Sequence, residues 1–412
     1  MSPCLWLVKE AHHWQFIYLL LGLFCQLKRE KLGTREVKFY RFILIITLIL
    51  SFYVRSDQDY SEREDVANFI KKMVEKHGFN QSSLTKTLKN SKYQEVVIRI
   101  MNRQPEGTMT WSRYRNIMIN DRRINSGKEF IKTYKEDLLR AESLYGVPGS
   151  VIASIIGIET RYGKIQGNIR VVDSLMTLAF DYPRREKFFR TQLEEFLLLS
   201  REENFEMESI KGSIAGAMGY GQFMPDSYRD YAVDFDDDGI RDLLGNPVDA
   251  IGSVANFLSK KGKWTPNTPI AIKAMAKGGG FDLPSSYKVK SGEGLEDIAT
   301  KFDLTVSKIA IENNLKDVNF IRKGQVLKIP RRQKLKSNFK PYLTLEDSKK
   351  LGIYPSSSVI GNLKVTPVEL ELDDGFEYWL GFDNYYSLSK YNRSKLYVMA
   401  VFEFSNALNE FF

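Results

Sequence analysis

Cysteine and histidine are scarce in this 412-residue sequence. Its two cysteines are Cys4 and Cys25, and its three histidines are His12, His13 and His77. Removal of the N-terminus would leave a chain with no cysteine and a single histidine. This excludes a disulfide framework, a Cys-His zinc site and a thiol nucleophile, and it nearly excludes a Ser-His-Asp triad. Catalysis is therefore expected from carboxylate, tyrosine, serine or amide side chains.

Basic residues outnumber acidic ones by 60 to 51, so the formal net charge is +9 and the sequence pI is about 9.1. Such a balance favours a polyanionic partner, which can be nucleic acid, a membrane surface or an acidic cell-wall polymer. However, the basic residues are interspersed with acids, and the sequence has no RNP, zinc-finger or basic-helix signature. We therefore expect no nucleic-acid partner. A hydrophobic content of 43% is typical of a globular protein.

Apolar runs long enough to span a membrane are also missing. The two N-terminal apolar runs, residues 14–25 and 42–54, are each shorter than a typical membrane span. The second run follows the basic segment KFYR, so we interpret residues 37–56 as a signal peptide or, since the cleavage site is poor, a retained membrane anchor. Residues 1–36 are an N-terminal extension, or upstream sequence translated in error with a non-AUG start at Val37. We expect export to the periplasm or cell envelope, with inner-membrane attachment if the anchor is retained.

The periodicity of apolar residues changes twice in the rest of the chain. Residues 57–283 show apolar side chains three and four positions apart, which predicts an α-rich domain. In residues 287–330, YKVK and VLKIP alternate like strands around two short helical patterns, which predicts a β-α-α-β module. Residues 335–412 run from the strand-like GFEYWLGF to a closing helix, LYVMAVFEFSNALNEFF. The predicted fold class is mainly α, with a small inserted module and a short C-terminal segment of strand and helix.

Glu159 ends the apolar run SIIGIE, with isoleucines three, four and seven positions before it. This is helical spacing, so we expect the carboxylate on the apolar face of a helix that begins at Pro148 and ends near Gly163. Burial against isoleucine disfavours the charged form, which predicts a raised pKa and a general acid. The alternative is a helix-end glutamate paired with Arg161 or Arg170.

A glycine-rich segment at residues 211–228, KGSIAGAMGYGQFMPDSY, is the second candidate for chemistry. Spaced glycines let a backbone approach a ligand closely, although they also suit a glycine-lined helix contact. No Gly-Lys-Ser/Thr follows, so the segment is not a phosphate loop. Its polar side chains are Ser213, Tyr220 and Gln222.

Several motifs in one order resemble the membrane-bound lytic transglycosylase B family of peptidoglycan enzymes. They are IGIETRYG, YPRREKFF, GSIAGAMGYGQFMPDSYRDYAVDFDDDG, NPVDAIGSVANF and SKYNRSKLYVMAVFEFSNAL. The resemblance runs from about residue 105 to 408 and is interrupted by residues 287–330, which resemble a LysM domain. It implies a lysozyme-like α-rich catalytic domain, formed by residues 57–283 and completed by residues 335–412.

The resemblance also implies the reaction and its residues. Glu159 matches the single acid/base that protonates the glycosidic oxygen and then activates the 6-hydroxyl of N-acetylmuramic acid, which closes a 1,6-anhydro ring. At two positions where the family is expected to have tyrosine, this chain has Phe188 and Phe257, which removes two hydroxyl groups from the expected saccharide contacts. The implied substrate-binding residues are Ser213, Gln222, Tyr114, Arg185, Tyr391, Asn392 and Tyr397, to which the glycine-rich segment adds Tyr220.

An ordinary glycosidase needs a second carboxylate across the cleft. The next acids along the chain are Asp173, Glu194 and Glu195, which we interpret as solvated or capping residues. A nucleophile supplied by the substrate removes the need for a second carboxylate, because its proximity gives a large effective concentration. Two alternatives remain open: a muramidase that hydrolyses the same bond with water, and a catalytically silent cell-wall binding protein.

The acidic segment DFDDDGIRDLLGNPVD, residues 234–249, matches the opening of an EF-hand-like calcium loop. Gly245 stands where the usual twelfth-position glutamate would be, so the loop would have to be closed by a later acid. The alternative is an acidic turn that caps the next helix. The predicted ligands of a structural Ca²⁺ are Asp234, Asp236, Asp238 and the carbonyl of Ile240, with Asp249 implied by the resemblance.

The LysM-like module predicts a second contact with substrate, because LysM domains bind N-acetylglucosamine-containing glycans. It would hold the enzyme on its polymer and raise the local substrate concentration. A purely structural insert is the alternative. The expected partners are therefore peptidoglycan strands, bound by a monomer that needs no cofactor for catalysis.

Overall fold

The structure is a computed structural model that describes residues 60–103, 109–277, 281, 283–284, 286–330, 335, 338–358 and 361–412. The segments 1–36 and 37–56, for which we predict an extension and a signal peptide or anchor, lie outside these residues. Helices predominate in the described chain, which confirms the mainly α fold class. From Tyr60 to Phe412 the chain forms one compact unit.

Helices are numbered in chain order, leaving out short 3₁₀ turns. The first six are α1 (Glu64–His77), α2 (Gln81–Lys89), α3 (Glu95–Arg103), α4 (Trp111–Met118), α5 (Asp121–Thr133) and α6 (Lys135–Tyr145). The next five are α7 (Gly149–Thr160), α8 (Val171–Asp181), α9 (Glu186–Glu202), α10 (Pro225–Tyr231) and α11 (Pro247–Lys260). The last five are α12 (Leu295–Lys301), α13 (Val306–Glu312), α14 (Leu345–Lys350), α15 (Asp383–Leu388) and α16 (Lys395–Leu408).

Helix α7 is the central helix of the main core. All of its residues except Glu159 are buried, as expected for a helix that is apolar on every side. The helix begins one residue after Pro148, which is its N-cap, and ends at Thr160. We predicted an end near Gly163, but Arg161 already adopts the left-handed conformation, with φ 53°, and terminates the helix.

Helices α5, α6, α11 and α16 pack around α7. The segment KEFIKTYKEDLLRAESLYG, whose periodicity predicts helix throughout, is divided between α5 and α6 at Tyr134. The helix α9 matches the predicted amphipathic segment, and it buries Phe189, Leu193 and Leu197 on one face. Because α16 lies at the C-terminal end of the described chain, the main core is complete only when both parts of the domain are present.

A four-stranded antiparallel sheet joins the two parts of the domain. Its strands are β3 (Ala271–Ala276), β6 (Ile353–Pro355), β7 (Thr366–Glu371) and β8 (Phe376–Gly381). Their order in the sheet is β6-β3-β8-β7, and the pairs include Ala274 with Tyr378 and Thr366 with Gly381. One strand precedes the inserted module and three follow it, so the module is inserted between strands of a single sheet. A separate two-stranded sheet pairs β1 (Ile169–Arg170) with β2 (Lys211–Gly212).

The inserted module has the predicted β-α-α-β order. Strands β4 (Ser286–Lys288) and β5 (Val326–Lys328) pair antiparallel, with Tyr287 opposite Leu327. Helices α12 and α13 lie between them in sequence and complete a small separate core that includes Ile298 and Ile309, both fully buried. The module therefore has its own hydrophobic core, independent of α7.

Within the described ranges, no single helix is long and apolar enough to cross a membrane. Helices α6 and α7 together are long and apolar enough to span a membrane, but they are bent by 115° at the break between them. Since α7 lies inside the core, its apolar character is explained by burial in the protein.

Candidate active site

Glu159 lies in the last turn of α7, where a tyrosine close to the C-terminus forms a hydrogen bond with its carboxylate. The Tyr397 hydroxyl donates a hydrogen bond to Glu159 Oε1 at 2.7 Å across a sequence separation of 238 residues. Tyr397 is in the first turn of α16, which packs directly on α7. Glu159 is partly exposed, whereas Tyr397 is 2% exposed. The carboxylate thus lies at the boundary between the core and solvent, with one oxygen fixed.

The Tyr397 phenol stays protonated and so remains a hydrogen-bond donor to the Glu159 carboxylate. Burial raises the pKa of Tyr397 well above its usual value of 10, and the charge of Glu159 raises it further. Burial and the same charge also raise the pKa of Tyr391. The predicted rise in the pKa of Glu159 itself stays a prediction. Arg170, one of its two suggested partners, instead binds Asp173 at 2.8 Å.

Tyr391 extends the site along the glycine-rich segment. Its ring stacks on that of Tyr397, with centroids 6.4 Å apart and planes 9° apart. Its hydroxyl donates to the carbonyl of Gly221 at 2.5 Å, which ties the C-terminal part of the domain to this segment. Phe257, where we expect tyrosine in relatives, packs on Tyr391 at 4.9 Å and is 5% exposed. An apolar aromatic cluster therefore backs the site.

The glycines of residues 211–228 are required by close packing inside the protein. A Cβ atom at Gly219 would lie 2.2 Å from the carbonyl oxygen of Leu243, and one at Gly212 would lie 2.3 Å from that of Ala217. Gly219 also has φ 71°, which favours glycine. The side-chain oxygen of Ser213 accepts hydrogen bonds from the backbone N–H groups of Ala215 and Ala217, at 3.3 and 3.0 Å. Ser213 therefore fixes the shape of this loop.

The side-chain amide of Gln222 is fixed by two backbone carbonyls. Its Nε2 donates to the carbonyls of Gln166 and Gly219, both at 3.0 Å, which uses both of its hydrogens. The backbone at Gln222 has φ 51°, an uncommon value for a non-glycine residue. Gln166 was not predicted as a site residue, because its contact with Gln222 is set by the fold and has no local sequence signal.

Two further tyrosines proposed for substrate binding differ in exposure. Tyr114, on α4, is only 3% exposed, and its hydroxyl is close enough to affect the pKa of Tyr397. Tyr220 is partly exposed and packs on Gly163, where a Cβ atom would lie 2.2 Å from the tyrosine ring. Burial raises the pKa of Tyr220, so its hydroxyl is neutral near pH 7. Tyr114 therefore lies near the phenol that binds Glu159, and Tyr220 packs on the turn beyond the end of α7.

Arg185 is the most exposed of the predicted substrate-binding residues. Arg185 is exposed, and its guanidinium lies 4.2 Å from the centroid of the Phe188 ring. Phe188, the second position where we expect tyrosine in relatives, therefore supports a cation in this protein. Asn392 is partly exposed in the turn between α15 and α16.

The interpretation of the other acids as solvated or capping residues is wrong for Glu194. Its side chain is 9% exposed and is bound by Lys72, Lys76 and His77. Asp173 is also buried, and it accepts a hydrogen bond from the backbone N–H of Lys92, three residues before α3. The periodicity of α9 predicted a solvated Glu194, because the sequence does not reveal that α1 covers this position. These two acids are structural ion-pair partners.

The acidic loop brings together part of the predicted calcium site. Carboxylate oxygens of Asp234, Asp236 and Asp249 lie within 4.8 Å of one another. Asp249, on the first turn of α11, is fully buried, and burial together with the charges of Asp236 and Asp234 raises its pKa. Asp238 is not in this group, because its carboxylate accepts from the backbone N–H of Ile240 at 2.8 Å.

Comparisons with known proteins identify two matching domain families and a relative of this chain. The Transglycosylase SLT domain model matches residues 61–306, and the LysM domain model matches residues 287–330. The chain is 34% identical over 359 residues to membrane-bound lytic murein transglycosylase B of Escherichia coli K12, covering 85% of this chain and 84% of that protein.

Solved structures of similar proteins share the fold, and two of them are each 33% identical to this chain. Lytic transglycosylase SltB1 from Pseudomonas aeruginosa aligns with a TM-score of 0.69, over 85% of this chain and 99% of SltB1. Escherichia coli lytic transglycosylase Slt35, solved in complex with calcium, aligns with a TM-score of 0.67, over 85% and 95%. These likenesses confirm the predicted lysozyme-like α-rich fold and the inserted LysM domain. The chain belongs to the SLT-domain lytic transglycosylase family that includes membrane-bound lytic murein transglycosylase B.

Proposed function

We propose that this protein is a lytic transglycosylase that cleaves the β-1,4 bond between N-acetylmuramic acid and N-acetylglucosamine in peptidoglycan. Family membership supports the reaction class and the substrate. The observation that carries the mechanism is the hydrogen bond between Tyr397 and Glu159, which fixes one carboxylate at the end of α7. Glu159 serves as acid and then as base, and the products carry 1,6-anhydro-N-acetylmuramyl ends.

The reaction needs one proton and no water. The protonated Glu159 carboxyl gives its proton to the glycosidic oxygen as the bond from that oxygen to C1 of the muramyl residue breaks. The N-acetylglucosamine fragment leaves with the proton as a hydroxyl group. The Glu159 carboxylate then removes the proton from the muramyl 6-hydroxyl, and the oxygen of that hydroxyl bonds to C1. Glu159 is protonated again at the end of the cycle.

Tyr397 orients the acid without entering the reaction. Its phenol donates to Oε1, and the second oxygen, Oε2, exchanges the proton with substrate. The donated bond also stabilises the carboxylate once it has lost its proton. Since Tyr397 remains protonated across the physiological pH range, it performs this role in both steps.

The acids that follow Glu159 in the sequence do not supply a second catalytic carboxylate. Asp173 is bound by Arg170, Glu194 by two lysines and His77, and Glu195 by Arg229. A glycosidase that uses water as nucleophile needs a free second carboxylate about 6.5–9.5 Å from the first. An intramolecular 6-hydroxyl replaces that requirement, which supports the lytic reaction over hydrolysis.

The test is product analysis with purified sacculi in H₂¹⁸O. Wild-type protein is expected to yield anhydro ends without ¹⁸O, and E159Q is expected to lose about 10²-fold or more of the rate, because glutamine cannot transfer the proton. E136Q is the matched control, since Glu136 is an exposed residue of α6. Reducing ends labelled with ¹⁸O would instead identify a muramidase. Sacculus binding without any cleavage would identify a wall-binding protein.

We also propose that the LysM domain binds N-acetylglucosamine-containing glycan and holds the enzyme on its polymer. The module has its own core, so it can present a binding surface without support from the α7 core. A tethered domain raises the local concentration of substrate at Glu159. Deletion of residues 287–330 is expected to weaken sacculus binding.

We propose a structural Ca²⁺ in the acidic loop, held by Asp234, Asp236 and Asp249, with the Ile240 carbonyl and Asp238 as further candidate ligands. The donor set fits, because three carboxylates converge within 4.8 Å and oxygen ligands are those that Ca²⁺ prefers. The buried charge of Asp249 is also unfavourable beside two acids unless a cation offsets it. A bound ion would stiffen the loop that precedes α11, away from Glu159.

The location follows from the same proposal. A relative of this chain is described as membrane-bound, and peptidoglycan lies in the cell envelope, so we propose that this protein acts there. Export to the periplasm, attachment to the inner membrane through residues 37–56 and a monomeric state are finer proposals. Fractionation with and without residues 1–56 tests the first two.

A further inference from the structure

Four cations line a pocket just beyond the end of α7. Arg122 and Arg123 come from the first turn of α5, and Arg161 and Lys164 come from the turn that follows Glu159. The pocket has a volume of about 320 Å³. Arg122 and Lys164 also line an adjoining groove of about 740 Å³ that extends along α5. The two cavities form a continuous basic cleft between α5 and the turn.

Ion pairs between described residues do not offset the positive charges of this cleft. Among the residues that the structure describes, no carboxylate forms an ion pair with any of these four cations. Arg123 is half-buried, and its Nη1 donates to the carbonyl of Gly157 at 2.9 Å. Burial and the nearby charge of Arg161 lower the pKa of Arg123. Clustering like charges is unfavourable, so a bound anion would stabilise the cleft.

The position of the cleft relates it to the substrate. Arg161 follows Glu159 by two residues, so their Cα atoms are no more than about 7 Å apart. An extended peptide of four residues spans about 14 Å, which is enough to reach from a sugar beside Glu159 into the cleft. The peptides carried by muramyl residues end in carboxylates. A concave pocket suits such a discrete group better than the flat surface of a membrane.

The adjoining groove adds a charge of the opposite sign. Glu129, on α5, is the one acid among the described residues that line it. The neighbouring rings of Phe130 and Tyr162 stack at 4.7 Å and supply an apolar wall. A peptide with both a carboxylate and a free amine would meet basic, apolar and acidic surfaces in turn. An inorganic phosphate or a lipid phosphate would use only the cations.

We propose that this basic cleft binds the carboxylates of the peptide attached to the glycan, with Arg122, Arg161 and Lys164 as the contacting cations. The proposal rests on the proposed function, since it assumes that the glycan passes Glu159. The cleft would make the protein prefer peptide-substituted strands over bare ones.

The experiment measures binding in the E159Q background, so that the strands remain intact. Dissociation constants are determined by calorimetry for soluble glycan strands with peptides and for the same strands after an amidase has removed the peptides. Glycan contacts with the LysM domain are common to both ligands and cancel in the ratio. R122Q/K164Q is expected to weaken binding of the peptide-bearing strands about fivefold to tenfold relative to bare strands, since each exposed ion pair contributes about 0.2–1 kcal/mol.

K132Q is the matched control, because Lys132 is an exposed cation on α5 outside both cavities. It removes one positive charge from the helix that carries Arg122 and is expected to leave the ratio at the value of the E159Q parent. The effect of R122Q/K164Q should also shrink as salt rises, because exposed charges are screened.

Two results would overturn the proposal. One is an unchanged ratio in R122Q/K164Q with normal circular dichroism. The other is a loss of binding to phosphatidylglycerol vesicles or to inorganic phosphate without a change in the ratio, which would assign the cleft to a phosphate ligand. Because the readout is equilibrium binding, it does not depend on whether the cleaved product is anhydro or hydrolysed. Failure of the proposed reaction would appear only in the product analysis.

Discussion

Replacing Glu194 by glutamine tests how far the α1–α9 contact stabilises the domain. Glu194, on α9, accepts hydrogen bonds from Lys72 at 2.5 Å, Lys76 at 2.9 Å and His77 at 2.8 Å. Burial alone would raise its pKa, but the bonds from these three groups outweigh burial and lower the pKa from 4.5 to about 2. A depressed pKa means that folding favours the charged form of Glu194.

The magnitude follows from this depression. A change from 4.5 to about 2 corresponds to about 3.4 kcal/mol at pH 7. Lys72 and Lys76 are 51% and 59% exposed, so solvent screening reduces the expected contribution to about 2 kcal/mol. For a group whose pKa is lowered on folding, this contribution is present above pH 4.5. It is lost as the pH falls from about 4.5 through about 2.

The assay is urea unfolding at several pH values, followed by tryptophan fluorescence. The described tryptophans, Trp111, Trp264 and Trp379, all lie outside residues 287–330, so the signal reports on the catalytic domain and not on the LysM domain. E194Q is expected to lower the free energy of unfolding by about 2 kcal/mol at pH 7. More than half of this difference should disappear by pH 3.

E75Q is the control, because Glu75 is an exposed residue of α1 whose ion pair with Lys71 is 3.8 Å long. Its cost should stay below about 0.5 kcal/mol at any pH. A difference between wild type and E194Q that is equally large at pH 7 and pH 3 would refute the electrostatic account. Lost packing of the Glu194 side chain would then be the cause.

Two further predictions concern the active site and the acidic loop. Y397F is expected to fold normally and to lower kcat about tenfold to a hundredfold, because Glu159 loses a charge-assisted hydrogen bond worth about 1.5–3 kcal/mol. Steady-state kinetics on soluble strands measures this, and a loss confined to KM would contradict a positioning role. Added Ca²⁺ is expected to raise the Tm of metal-free wild type but not of D236N. D237N, in the same loop but outside the carboxylate cluster, should keep the Tm increase, and an equal response of both variants would contradict the proposed ligands.

The sequence is sufficient to predict what depends on local pattern. Helix α7 and the placement of Glu159 follow from isoleucine spacing, and the β-α-α-β order of the module follows from two changes of periodicity. The end of α7 is predicted less well, because the pattern favours Gly163 while Arg161 adopts the left-handed conformation that ends the helix. Helix ends depend on the packing of the following turn, which a pattern does not record.

Contacts between distant segments are what the sequence does not reveal. The resemblance predicts Tyr397 near the substrate, but its bond to Glu159 depends on how α16 packs on α7. Glu194 has an ordinary amphipathic context, yet α1 buries it. The basic cleft was missed because Arg122 and Arg123 are distant in sequence from Arg161 and Lys164, and only the fold brings the two pairs together.

The insertion of the LysM domain between β3 and β6 has a consequence for biosynthesis. A nascent chain that has emerged only as far as residue 330 already contains everything the small module needs to fold, whereas the acid on α7 still lacks its phenol. During translation, the LysM domain is therefore complete before the contact between Tyr397 and Glu159 can form. The N-terminal fragment of a chain cut between residue 330 and α16 would carry the whole LysM domain and Glu159 but not Tyr397.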